Sequence, residues 1–282
     1  MKLHMPNAEL FVPGGGDSAD ALAGTTHLCL AAHQDDIEIM AFHGVRECFG
    51  RHDQHFTGVT VTDGAGSPRD GLYARYSDEE MKAVRRDEQK KAARIGEYAA
   101  HVFLDFPSAT VKDGNGTAVV DDMVVVLQAT RPDVVYTHNL ADKHDTHVAV
   151  TLRAIAAIRR LPVDVRPVRL LGCEVWRDLD WMDDSHKMVL DVSGRDNLAA
   201  ALLGVFDSQI IGGKRYDLAT MGRRRAHATY YASHGVDNAE SLTYAMDLTP
   251  LVHDPDLDPA GLVRDHLARF QRDVESRIAR FS

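Results

Sequence analysis

The chain has 282 residues, 44% of them hydrophobic, and carries 42 acidic against 32 basic side chains for a formal net charge of −10. That length supports one large α/β domain or two small ones, with a sizeable core. The acidic balance excludes a basic nucleic-acid surface. No run approaches the ~18 apolar residues of a membrane span.

Residues 1–24 read as an irregular N-terminal arm. Gly14-Gly15-Gly16 has no Lys-Ser/Thr after it, so it is a loop and not a phosphate cradle. A strand is expected at 26–32 and a helix at 37–49. A β-branched strand at 55–62 ends in Asp63-Gly64-Ala65-Gly66-Ser67-Pro68, a loop signal. Residues 77–97 read as a helix opened by a capping box, Ser77 with Glu80. A strand from 101 runs into a loop at Pro107, and Lys112-Asp113-Gly114-Asn115-Gly116 is a turn. A helix at 121–131 is limited by Pro132, and a strand follows at 133–137. A helix at 146–160 and strands at 168–175 and 188–192 come next, with Ser193 as the cap of another helix. The last helix, about 260–280, is expected to pack on the same body. Strand alternating with helix predicts a mostly parallel α/β sheet covered by helices on both faces. Residues 25–282 read as one such domain.

Cys29, Cys48 and Cys173 form no C-x-x-C pair, which fits a reducing compartment. Met1-Lys2-Leu3-His4-Met5-Pro6 lacks a signal-peptide core, and the expected location is the cytoplasm. Arg223-Arg224-Arg225 is too short for a basic patch. It reads as a solvated face or a set of anion contacts. The oligomeric state and the roles of His227 and His234 are left open.

Two clusters carry the chemistry. The first strand stops abruptly at His33-Gln34-Asp35-Asp36-Ile37-Glu38. His33 and Asp36 are three residues apart and able to face one point, and both are ordinary zinc ligands. Asp35 points elsewhere and is free to act as a base. Adjacent carboxylates favour a cation beside them. The alternative is that the acids only cap the following helix. The second cluster follows the fourth strand: His138-Asn139-Leu140-Ala141-Asp142-Lys143-His144-Asp145-Thr146-His147. Loops closing the carboxyl edge of neighbouring strands meet at one place. His33, Asp36 and one histidine from here then supply three ligands and leave one position for water, the pattern of a catalytic zinc site. A nucleotide-binding module would need glycines where this chain has two phosphate-repelling carboxylates.

Both clusters resemble the PIG-L/LmbE-like family of zinc-dependent N-deacetylases. Ala32-His33-Gln34-Asp35-Asp36-Ile37-Glu38 is similar to its Ala-His-Pro-Asp-Asp-x-Glu stretch. His144-Asp145-Thr146-His147 is similar to its His-Pro-Asp-His stretch. Thr60–Gly64, Arg85-x-x-Glu88, Phe103–Pro107 and Ser208-Gln209 extend the likeness over roughly residues 26–215. Gln34, Asp145-Thr146 and Phe206 depart from the family pattern without removing a candidate ligand.

The resemblance implies a Rossmann-like fold and His33, Asp36 and His147 as ligands of Zn2+, with Fe2+ or manganese able to use the same set. It implies Asp35 as the base. His144, charged with help from Asp142 or Asp145, would stabilise the intermediate or protonate the leaving amine. The implied substrate is an N-acetylglucosamine-type amino sugar or its conjugate. Arg85, Asp105 and Asp113 are its candidate contacts; pairing of Arg85 with Glu88 and simple turn formation by the two acids are the alternatives. An amidase for a non-sugar or non-acetyl amide is the competing reading.

Overall fold

The computed structural model describes residues 1–282. One eight-stranded sheet runs through it. Its strands are β1 (Glu9–Phe11), β2 (His27–Ala31), β3 (Phe56–Thr62), β4 (Ala100–Phe106), β5 (Val134–His138), β6 (Arg169–Cys173), β7 (Lys187–Asp191) and β8 (Leu242–Asp247). The spatial order is β1-β4-β3-β2-β5-β6-β8-β7. The five strands from β4 to β6 are parallel, while β1, β8 and β7 are added antiparallel at the two sides.

β2 shows why Leu28–Ala31 is apolar without a break. Leu28 and Leu30 enter one hydrophobic core, and Cys29 and Ala31 enter the other, on the opposite face. A strand covered on both faces has no polar side to alternate with. The expected α/β sheet with helices on both faces is thus the observed one.

The order also fixes where a ligand goes. From β2 the chain moves outward through β3 and β4, then returns to lay β5 on the other flank of β2. The crevice beyond the carboxyl ends of β2 and β5 is the topological switch point of the sheet.

Several expectations are corrected. Residues 1–24 are no loose arm: they contain edge strand β1 and a helix, Ser18–Ala23, capped by Asp17. The helix expected at 37–49 breaks at Ala41 into Asp36–Met40 and Phe42–Cys48. Arg224 supplies the reason. Its Nη2 donates to the carbonyls of Glu38 (2.8 Å) and Ile39 (3.0 Å), which a continuous helix would spend on Phe42 and His43. Arg224 is therefore neither a solvated group nor an anion contact; it is buried, with its guanidinium 4.7 Å from the Phe42 ring centre.

Ser193 caps no helix. Its Oγ accepts from the amides of Glu240 and Ser241 and so ties the end of β7 to the start of β8. The final helix, Pro259–Phe281, touches the core only through its first turns at Leu262 and Val263, and His266 is its one buried residue. β8 and the helix Tyr216–Tyr230 had no counterpart in the sequence reading. No helix is long and apolar enough to cross a membrane.

Candidate functional site

The Ser77–Glu80 capping box forms as expected, with both reciprocal bonds present. The helix it starts, Asp78–Ile95, holds the turn after β2. From one face of that helix, Arg85 Nη2 donates to the Gln34 carbonyl and to Asp35 Oδ2 (3.0 Å). One turn further on, Gln89 Oε1 accepts from the Asp35 amide at 3.2 Å. This clamp holds Asp35 at φ 95°, a region a non-glycine residue enters only when its surroundings over-determine it. Gln34 donates from Nε2 to the Thr62 carbonyl, pinning the β3 loop beside the turn. Gly64 lies at φ 81°, and a Cβ there would stand 2.8 Å from Gln34 Oε1, so this loop position requires glycine.

Asp36 opens the short helix after the turn. Its Oδ2 lies 3.1 Å from His33 Nδ1 and 3.4 Å from His147 Nε2, and those two nitrogens are 3.1 Å apart. Four ligands around a zinc ion at about 2.0–2.1 Å stand about 3.3–3.4 Å from one another. The three atoms thus have the spacing of one tetrahedral face, and the donor set of two imidazoles and a carboxylate suits a divalent cation. The structure brings all three expected ligands together.

Two more imidazoles surround them. His138 stacks on His147 with ring centres 3.8 Å apart, and its Nε2 lies 3.5 Å from Asp36. That nitrogen already accepts the Ala32 amide at 2.9 Å, so its lone pair is committed to fixing the end of β2. His138 belonged to the sequence cluster but had no assigned role; the hydrogen bond that defines it joins residues 106 apart. His144 also approaches, its ring 4.5 Å from that of His147 and 4.9 Å from that of His33.

The charges follow from this packing. Burial opposes the charged form of Asp36, but His147, His138 and His33 outweigh it and hold its pKa well below the carboxylate range. For His147 burial is again opposed by Asp36 and Asp142, and the balance raises it to about 9. Asp142 stands 3.5 Å from His147 Nδ1, the position of a carboxylate that orients a metal-bound imidazole. Asp35 is pushed up to about 6 by burial, with Arg85 pulling the other way.

His144 is shifted the other way. Burial, then the neighbouring His147 and His33, lower its pKa to about 4. Asp142, one of the two carboxylates expected to support a charged His144, accepts from the His144 and Trp176 amides and faces His147.

The cleft above this floor has a volume of about 520 Å³. His33, Asp35, Asp36 and His144 line it together with Arg85, Trp176, Gln209 and Tyr216. Arg85 reaches the cleft but is committed to Asp35 and Glu88, the latter at 3.5 Å. Glu88 in turn accepts from the amide and hydroxyl of Ser208, which places Gln209. The other two expected substrate contacts lie outside the cleft lining. Asp105 is taken by Arg86 at 2.6 Å, and Asp113 accepts from the Asn115 amide within its own exposed turn. Trp176 and Tyr216 were missed because they come from segments far apart in the chain.

Fold and site together define a doubly covered α/β protein with a His/Asp metal-type site at its switch point. Residues 28–158 match the family described as PIG-L, GlcNAc-PI de-N-acetylase. The resemblance read from the motifs is borne out over that segment.

No curated protein matches the sequence. Among solved structures, N,N′-diacetylchitobiose deacetylase from Pyrococcus horikoshii is similar with a TM-score of 0.60 at 19% identity, over 78% of this chain and 83% of that one. The 4-carboxy-2-hydroxymuconate hydratase GalB from Pseudomonas putida KT2440 is similar at 0.58 and 16%, over 79% and 96%. The zinc-inhibited form of teicoplanin deacetylase Orf2 is similar at 0.57 and 15%, over 79% and 98%. These likenesses define the fold. A hydratase and two deacetylases share it, so the reaction has to be argued from the site.

Proposed function

We propose that this protein is a metal-dependent N-deacetylase acting on an N-acetylglucosamine-type amino sugar or its conjugate. The observation that carries the reading is the mutual approach of His33, Asp36 and His147 at 3.1–3.4 Å on the floor of a cleft that Asp35 also faces. The PIG-L match over residues 28–158 supports the choice of an amide as the bond cleaved.

His33, Asp36 and His147 would hold the cation, zinc or another divalent ion. When bound, such an ion acidifies water and polarises a carbonyl. Asp35 accepts the proton of the attacking water through its carboxylate. A pKa near 6 leaves it ionised at neutral pH and still basic enough to take that proton. The clamp of Arg85 and Gln89 keeps its carboxylate on the cleft side of the turn. Having taken the proton, Asp35 is the group placed to return it to the departing amine. His144, neutral, offers an imidazole N–H to the amide oxygen as negative charge develops there. A neutral imidazole suits this role beside a cation, because a charged one would be repelled.

The test is acetate release from a panel of N-acetylated amino sugars by the metal-loaded protein and by Asp35→Asn. The wild type is expected to release acetate and free amine in equal amounts. Asp35→Asn is expected to keep its metal and lose turnover by about 10²–10⁴-fold. Full activity in that variant removes Asp35 from the role. Amine release from other amides, with none from acetyl sugars, replaces the acetyl substrate by another acyl class.

A further inference from the structure

The walls of the cleft carry positive charge that nothing in the protein neutralises. Lys112, Lys214 and Arg223 all line it, and none is in an ion pair with a carboxylate. Arg215, one residue beyond Lys214, is held by Asp217 at 2.8 Å. Arg225, two beyond Arg223, pairs with Asp196. The three residues that face the cleft are the ones left free. Lys112 comes from the end of the helix Ser108–Lys112 that follows β4, whereas Lys214 and Arg223 come from the far side of the sequence.

Two of the three are also positioned. Arg223 Nη1 donates to the Val175 carbonyl at 2.6 Å. The Lys214 ammonium sits 5.3 Å from the centre of the Trp176 ring, and that indole stacks toward His144 with ring centres 6.4 Å apart. The acids lining the cleft are Asp35 and Asp36, both on its buried floor. The cleft thus has an acidic floor that suits a cation and cationic walls that suit an anion. A chain of net charge −10 repels anions at long range, so an anionic ligand needs such a local reversal of sign to be captured.

We propose that the substrate carries an anionic group, a phosphate or a carboxylate, outside the amide that is cleaved, and that Lys112, Lys214 and Arg223 bind it. This rests on the amino-sugar reading above and narrows it to charged conjugates. The cation walls select by charge.

The experiment measures calorimetric binding of three probes to the metal-loaded protein: glucosamine, glucosamine 6-phosphate and a carboxymethyl glycoside of glucosamine. None contains an amide to cleave, so turnover does not enter. At least one anionic probe is expected to bind tenfold or more tighter than glucosamine, with the preference falling as salt rises. Phosphate or carboxylate is identified by which of the two does so. The variant Lys112→Met/Lys214→Met/Arg223→Met is expected to erase the preference. The single variants Lys112→Gln and Lys214→Gln, at exposed side chains, are expected to reduce it with an unchanged melting temperature. Equal binding of all three probes, no binding of any, or a preference that survives the triple variant overturns the proposal. Acetate release from a neutral sugar with no anion preference keeps the deacetylase reading and removes this one. An anion preference lost in the triple variant, with no acetate from any sugar, does the reverse.

Discussion

Replacing Arg85 by Met tests how the turn after β2 is held. Arg85 is 1% exposed and stands 3.0 Å from Asp35 Oδ2 and 3.5 Å from Glu88 Oε2. At an effective dielectric of about 20, the closer contact alone is worth about 5 kcal/mol of gross Coulomb attraction. Removing one partner of a buried pair costs about 3–5 kcal/mol, because the remaining carboxylates stay buried without it. The expected effect in denaturant titration is a loss of that size. A second readout separates positioning from stability. Asp35 already titrates near 6 because of burial, and Arg85 is the group holding it down. Without Arg85 its pKa rises further, so the ionised base appears only at higher pH. The acid limb of the kcat/KM profile is expected to move upward. Arg85→Lys keeps the charge but cannot reach the Gln34 carbonyl, Asp35 and Glu88 together, and is expected to fall between. A Met variant within 1 kcal/mol of wild type, with an unmoved acid limb, refutes the clamp.

Two further predictions follow from other parts of the site and core. Asp142→Asn removes the carboxylate that faces His147 Nδ1, and about 10–100-fold weaker zinc binding is expected in a competitive chelator titration; unchanged affinity contradicts the role given to Asp142. His101 is fully buried, and burial lowers its pKa to about 3. The unfolded chain therefore gains a proton near pH 6.5 that the fold refuses, so this contribution is complete above 6.5 and is lost as pH falls toward 3. Between pH 6.5 and 4 it amounts to about 3 kcal/mol. Denaturant titrations of His101→Gln across that range are expected to show a pH slope shallower than wild type by this amount, and an unaltered slope contradicts it.

What could be seen in the sequence was local. β2 announces itself because a strand buried on both faces is apolar, here from Leu28 to Ala32, so His33 marks its end sharply. The Ser77–Glu80 cap lies within four residues and formed as read. What could not be seen depends on partners far along the chain. The break at Ala41 comes from Arg224, 186 residues away from Glu38. Arg85 was read as a candidate sugar contact with pairing to Glu88 as the alternative; a helix position alone does not disclose that the loop of residues 34–35 also packs on it. Asp105 looked free until β1 and the helix Asp78–Ile95 brought Arg86 beside it. The downward shift of His144 comes from burial, then from His147 and His33, and no spacing rule discloses that packing.

The account depends most on one ion shared by two loops. Zinc stoichiometry measured by elemental analysis after equilibrium dialysis tests it directly. The wild type and Asp35→Asn are expected to hold one ion per chain, and His33→Ala, Asp36→Ala and His147→Ala to hold far less. Full occupancy in those three variants, or no ion in the wild type, contradicts it.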